Sequence, residues 1–127
     1  MRATLVAGLV LSALASPVLA HHSGAMYDDK KEITLTGVVK EFQYTNPHSW
    51  LFVAVTNADG SVTNWGFESE GPSTLGRAGI NKSDLPPGTK ITITGHPMKD
   101  GRPAASWMHA TRADGKEFNP FAGFVNR

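Results

Sequence analysis

The stretch of residues 32–44 constrains the fold more than any other part of the chain. It is long and rich in β-forming residues, and its apolar positions change parity around Gly37. Ile33 and Leu35 belong to one parity, whereas Phe42 and Tyr44 belong to the other. A glycine within a strand and a change of parity are typical of a bulge or a coiled strand. The sequence therefore predicts one bent strand that pairs with both halves of a small sheet.

Four shorter segments alternate with turns rich in Gly, Pro, Asn and Asp, a pattern typical of strands joined by tight turns. They are residues 49–56, 61–68, 89–95 and 103–111. A short helix is predicted at residues 72–78, between strands three and four. This order is that of an OB-type barrel. We therefore expect an all-β chain with little α content, forming a single five- to six-stranded OB-like barrel with one short helix. A small β-sandwich is the alternative, but five strands rarely fill two sheets.

Residues 1–20 have the pattern of a cleaved signal peptide. Arg2 provides the positive start, an apolar stretch of about ten residues follows, and small residues precede a cut after Ala20, with Ala15 as the alternative. The apolar stretch is too short for a membrane span, which needs about 20 residues. We expect an exported protein, either periplasmic or secreted, with no membrane span after cleavage. The barrel is predicted to be residues 21–116.

Residues 117–127 are predicted to be a C-terminal tail. Its three phenylalanines either extend with it or fold back on the barrel; they are Phe118, Phe121 and Phe124.

Composition excludes several classes of function. The chain has 12 basic and 11 acidic residues, and no cysteine. A nearly neutral chain lacks the basic face that nucleic acid requires, so no nucleic-acid partner is expected. Without cysteine there is no disulfide, thiolate zinc site or cysteine nucleophile.

The predicted mature N-terminus suggests a copper site. After cleavage at Ala20, His21 offers its free amine and its imidazole Nδ1 to one metal ion. His48, at the start of a strand and next to Pro47, is the best third nitrogen ligand, and His22 is the alternative. Amine and imidazole ligands favour Cu(II) among the first-row divalent ions. The competing interpretation is a terminal histidine that binds metal adventitiously, without a physiological role.

A second group of potential copper ligands lies near the ends of strands four and five. It consists of His96, Met98, Met108 and His109. Imidazole and thioether groups can hold either oxidation state of copper. Methionines on a last strand more often pack a core, which is the competing interpretation.

Aromatic and acidic residues offer a different function. Trp50, Phe52 and Trp65 could line a groove for a non-metal ligand on the face of an OB-like barrel. Glu68 and Glu70 are two residues apart, so both carboxylates would share one face of a strand. No histidine or serine accompanies them at a spacing typical of catalysis, and a solvated strand end explains them as well.

Motifs along the chain resemble an exported bacterial family, the domain-of-unknown-function family 6152. They are residues 21–23 (HHS), 34–37 (TLTG), 45–50 (TNPHSW), 64–68 (NWGFE), 85–88 (LPPG) and 99–101 (KDG). The resemblance implies a small exported β domain whose patterns include the paired histidines and the Asn-Pro-His-x-Trp segment. It implies no activity.

Together these observations predict an exported binding protein rather than an enzyme, with copper as the leading ligand. A module for a small ligand or an unknown periplasmic protein, using aromatic surface residues, is the alternative. A copper-dependent oxygenase is a third possibility, disfavoured because so short a chain has no broad aromatic platform.

Overall fold

The structure is a computed structural model that describes residues 24–124. The predicted signal peptide, its cleavage site, His21 and His22 lie outside the described residues. Six strands are described: β1 (Ile33–Gln43), β2 (His48–Thr56), β3 (Val62–Glu70), β4 (Lys90–Pro97), β5 (Ala104–Arg112) and β6 (Glu117–Phe118). One α-helix, α1 (Pro72–Arg77), and three short 3₁₀ helices complete the description: Gly24–Met26, Lys82–Asp84 and Pro120–Phe124.

The sheet closes on itself. Its strand order is β3-β2-β1-β4-β5-β6, and an additional parallel pairing joins β3 to β5. The first five strands therefore form a closed barrel, β6 is one extra strand, and α1 lies between β3 and β4 in the chain. This confirms the predicted mostly-β barrel and rules out the sandwich, because no second separate sheet exists among residues 24–124.

Strand β1 is bent, as the sequence predicts. Its first half pairs with β4 and its second half with β2, and both halves share Val38. The register shifts between Val39 and Glu41, so the bulge lies after Gly37 rather than at it. Gly37 has a different role, because a Cβ there would collide with the backbone oxygen of Ala54. The glycine lets β2 cross close over β1 where the barrel turns.

The interior is filled by the inward-facing residues of all five barrel strands. Leu51, Val53 and Phe67 are fully buried, and Trp107 is 1% exposed. Leu75 of α1 joins the same core, which explains how a helix of six residues is held in place. Burial of this apolar surface is the main force that stabilises a barrel without disulfides.

Residues 117–124 dock against the barrel. Phe118 is 1% exposed and belongs to the core, and β6 pairs with β5. The following 3₁₀ helix packs on α1, where Arg77 Nε donates to the carbonyl oxygen of Gly123 at 3.4 Å. Phe121 and Phe124 remain exposed. Of the two alternatives for the three phenylalanines, Phe118 therefore has the one in which the ring folds back on the barrel.

Candidate functional site

A buried carboxylate marks the site. Glu68 lies on β3 opposite Trp50 of β2, at the place where β3 also pairs with Ser106 of β5. It points away from the core, because the adjacent Phe67 points into it. Glu68 is nevertheless only 9% exposed. A carboxylate on the outer face of a barrel is buried to this degree only when another segment covers it.

The covering segment is the N-terminal start of the described chain. Tyr27 forms an isolated antiparallel bridge with Met98. Asp28 N donates to the carbonyl oxygen of Pro97 at 2.8 Å, and Lys99 N donates to that of Met26 at 2.9 Å. These bonds hold the segment across the end of β4, and so place Tyr27 over β3.

Tyr27 binds the carboxylate directly. It is 7% exposed, and its hydroxyl donates to Oε2 of Glu68. Burial, followed by the hydrogen bond and the negative charge of Glu68, raises the pKa of Tyr27 well above its usual value. The phenol therefore stays protonated at neutral pH and acts as the donor.

His48 lies on the other side of the same carboxylate. Its Nδ1 is 3.5 Å from Oε1 of Glu68, and a quarter of its side chain is exposed. It is the first residue of β2, where Thr45 Oγ1 donates to its carbonyl oxygen at 3.0 Å and so fixes the end of the preceding loop. One oxygen of Glu68 thus faces Tyr27, while the other faces His48.

Two adjacent cavities flank Glu68. We call the first the His48 pocket; it measures about 180 Å³ and is lined by Gly24, Met26, Tyr27, His48, Glu68, Ser69, Glu70, Ser106, Trp107, Pro120 and Phe121. We call the second the Met98 pocket; it measures about 270 Å³ and is lined by Met26, Trp50, Glu68, Met98, Arg102 and Ala104. Met26 and Glu68 line both. Imidazole, carboxylate, phenol and thioether groups therefore converge on one small region of the surface.

Of the predicted first copper site, the structure locates only His48, since His21 and His22 lie outside residues 24–124. The first described residue, Gly24, lines the His48 pocket. Among residues 24–124, no group of three or more His, Cys, Asp or Glu side chains could hold a metal ion.

The structure does not bring the four residues of the second predicted group into either of these cavities together. His96 lies opposite Ser106 and His109 opposite Thr94, on separate rungs of the β4–β5 ladder. His96 Nδ1 is also 2.6 Å from the carbonyl oxygen of Lys31. Met98 lines the Met98 pocket, whose lining includes none of the other three residues.

The three predicted groove aromatics divide between two faces. The rings of Trp50 and Phe52 stack on the outer face of β2, with centroids 6.2 Å apart and an interplanar angle of 13°. Gly66 lies beneath them, and a Cβ there would be 3.2 Å from both rings. Trp65 is opposite the buried Val53 and packs against the core. The structure therefore joins Trp50 with Phe52 and separates both from Trp65.

Sequence reasoning missed Tyr27 and Met26. Neither lies in a predicted element, and their contacts with Glu68 and Met98 depend on how the chain folds before β1. Glu70, noted for its spacing from Glu68, does share a cavity with it.

Fold and site together define a small OB-like barrel with a carboxylate-centred surface pocket. The chain belongs to a family of unknown function (DUF6152), whose model matches residues 8–107. This confirms the resemblance seen in the sequence motifs. No curated protein matches the chain, and no solved structure matches it. Within residues 24–124 there is no helix with the length and apolar character needed to cross a membrane.

Proposed function

We propose that this protein is an exported bacterial binding protein that holds Cu(II) through His21 and His48. The free amine and Nδ1 of His21 would close a chelate on the ion, and the imidazole of His48 would supply the third nitrogen. Three nitrogen donors of this kind match the preference of Cu(II). The observation that carries the proposal is that Gly24 and His48 line the same pocket.

Chain length supports this pairing. His21 precedes Gly24 by three residues, and an extended chain spans at most about 3.5 Å per residue. The Cα atom of His21 is therefore confined to within about 11 Å of that of Gly24. In protein that begins at His21, this short tether would keep the effective concentration of the terminal amine near His48 high.

The surroundings of His48 also support a metal ligand. Histidines that bind metals usually direct their other ring nitrogen at a carboxylate, which fixes the ring and raises its basicity. Glu68 is placed for this role at Nδ1, so we assign the metal to Nε2 of His48. The carboxylates of Glu68 and Glu70 favour a cation over an anion in the His48 pocket.

A competition titration with a Cu(II) chelator tests the proposal on protein that begins at His21. We expect a dissociation constant below micromolar. Adding one alanine before His21 destroys the amine–imidazole chelate, and His48→Ala removes the third ligand. Each change should weaken Cu(II) binding at least tenfold, whereas the matched control His109→Ala, outside both pockets, should not. Unchanged affinity in both altered proteins would refute the proposal.

The position of signal-peptide cleavage is tested separately. Mass spectrometry of the protein recovered from its native compartment should give a chain that begins at His21 and carries copper. A first residue other than His21 would remove the chelate, because the amine and the imidazole must belong to the same residue.

A non-metal ligand is the second candidate, favoured by the stacked pair Trp50 and Phe52 next to the Met98 pocket. Such rings provide a flat apolar surface for a sugar or another ring. A ligand bound there should quench tryptophan fluorescence, and Trp50→Ala should abolish the quenching. Trp65→Ala, on the opposite face, is the control. No response across a panel of periplasmic glycans would count against this candidate.

A further inference from the structure

Two methionines that are distant from one another in the sequence line one cavity. Met26 and Met98 both line the Met98 pocket, together with Trp50 and Glu68. Their backbones are held in register, because Met26 accepts a hydrogen bond from Lys99 and Tyr27 pairs with Met98. Met26 also lines the His48 pocket, so one thioether is common to both cavities.

Packing does not explain the position of Met26. It is 39% exposed and does not belong to the buried core, which accounts for the rest of the barrel without it. A methionine that fills a gap in a core is normally buried. A flexible, polarisable side chain at the rim of a cavity is instead typical of a binding surface.

Thioether sulfur is a soft, neutral ligand, and it selects Cu(I) over Cu(II) and over hard divalent cations. The charges around the cavity permit a monovalent cation. Arg102 lines it, but its Nε is 2.7 Å from Oδ2 of Asp100, which offsets its charge. The buried carboxylate of Glu68, which also lines the cavity, adds negative charge.

We propose that Met26 and Met98 form a thioether site for Cu(I), adjacent to the nitrogen site at His48. It rests on the proposed function, because it extends the same binding protein to the second oxidation state of the same metal. The two sites differ in ligand chemistry, so each oxidation state has its own set of donors. No electron transfer is involved, and each ion is bound in the state in which it arrives.

The test compares wild type with the Met26→Leu/Met98→Leu double variant, using Cu(I) supplied anaerobically in competition with a Cu(I)-specific chelator. We expect Cu(I) affinity to fall at least tenfold, while Cu(II) affinity changes less than twofold. Met108→Leu is the matched control, because Met108 lines neither cavity, and it should bind Cu(I) like wild type. Leucine has nearly the volume of methionine, so folding should be preserved.

A second measurement needs no substitution. In protein labelled with ¹³C at its methionine methyl groups, Ag(I), a redox-inert ion with the same preference for soft ligands, should shift the signals of Met26 and Met98. The signal of Met108 should stay in place. Equal shifts of all three signals, or no shift at all, would overturn the thioether site, as would a double variant with unchanged Cu(I) affinity.

The two proposals fail in different ways. If the alanine extension and His48→Ala both leave Cu(II) affinity unchanged while the double variant loses Cu(I), the nitrogen site is refuted and the thioether site stands. The reverse pattern refutes the thioether site alone.

Discussion

Nδ1 of His48 lies 3.5 Å from Oε1 of Glu68, although the two residues are not opposite one another in the sheet. His48 pairs with Glu70, and Glu68 pairs with Trp50, so the contact runs diagonally across β2 and β3. Diagonal neighbours on one face are within reach of long side chains. In the proposed Cu(II) site, this relationship would make Glu68 a positioning residue for His48.

Glu68→Gln should therefore weaken Cu(II) binding. An amide lacks the negative charge that orients the imidazole, and loss of such a partner typically costs about 10–100-fold in metal affinity. We expect the effect in a chelator competition titration of protein beginning at His21. Glu117→Gln, at the exposed position of β6, is the control. Equal affinities for both variants would mean that Glu68 does not orient the ligand.

Phe118→Ala should greatly lower the denaturant concentration at which the protein unfolds. The ring is 1% exposed, and loss of a buried phenylalanine costs about 3–5 kcal/mol, because the cavity only partly collapses. Phe121, in the same segment, is 44% exposed. Phe121→Ala should therefore change the free energy of unfolding by only about 0.5–1 kcal/mol at most. Urea titrations monitored by tryptophan fluorescence compare the two. Similar losses of the free energy of unfolding in the two variants would mean that residues 117–124 do not dock through Phe118.

Gly37→Ala should also destabilise the barrel, for a steric reason. The added Cβ would collide with the backbone oxygen of Ala54 and with the side chain of Val53, and neither can move without disturbing the β1–β2 pairing. We expect a loss of about 1–3 kcal/mol in the free energy of unfolding, typical of overpacking. A Cβ added at Gly24 would have no atom within 4 Å, so Gly24→Ala is the control. Thermal unfolding by circular dichroism measures both.

Asp84 should make stability depend on pH. A hydrogen bond from Lys116, with Nζ–Oδ1 2.7 Å, is the main reason why the pKa of Asp84 lies below its usual 3.8. The contribution to stability is therefore complete above pH 3.8 and is lost as the pH falls through the lower folded-state pKa. Asp84→Asn should cost about 0.5–1 kcal/mol at neutral pH, since Lys116 is partly exposed.

The same variant should differ little from wild type once the pH is well below the folded-state pKa, where Asp84 is protonated in both states. Urea unfolding at neutral and acidic pH tests this, with the exposed Asp29→Asn as control. A deficit that persists unchanged in acid would point to the Asn81–Asp84 capping interaction of the 3₁₀ helix instead.

Local patterns predicted the barrel because its strands depend on local physics. Alternation of apolar residues, as at Ile91 and Ile93, specifies which face of a strand is buried. Turn residues between the segments gave the order of strands and the place of the helix. The change of parity predicts a bulge or a coiled strand around Gly37, but it does not reveal which residue loses its partner; the structure has the register shift between Val39 and Glu41.

The site depended on contacts between distant segments. The sequence offered His48 and Glu68 as separate candidates, and only the pairing of β2 with β3 brought them together. Residue type alone groups Trp65 with Trp50, yet their side chains lie on opposite faces of the sheet. Trp65 packs against the core, whereas Trp50 lies on the outer face, because side chains alternate between the two faces along each strand.

By itself the sequence determined that the chain forms an OB-like barrel, because hydrophobic periodicity and turn chemistry are properties of neighbouring residues. Only the tertiary structure decided which polar side chains share a pocket. Tyr27, Met26 and Met98 meet around Glu68 because the segment before β1 hydrogen-bonds to the end of β4. Such contacts between residues far apart in the chain leave no local pattern, so the buried carboxylate and its partners appear only in the folded molecule.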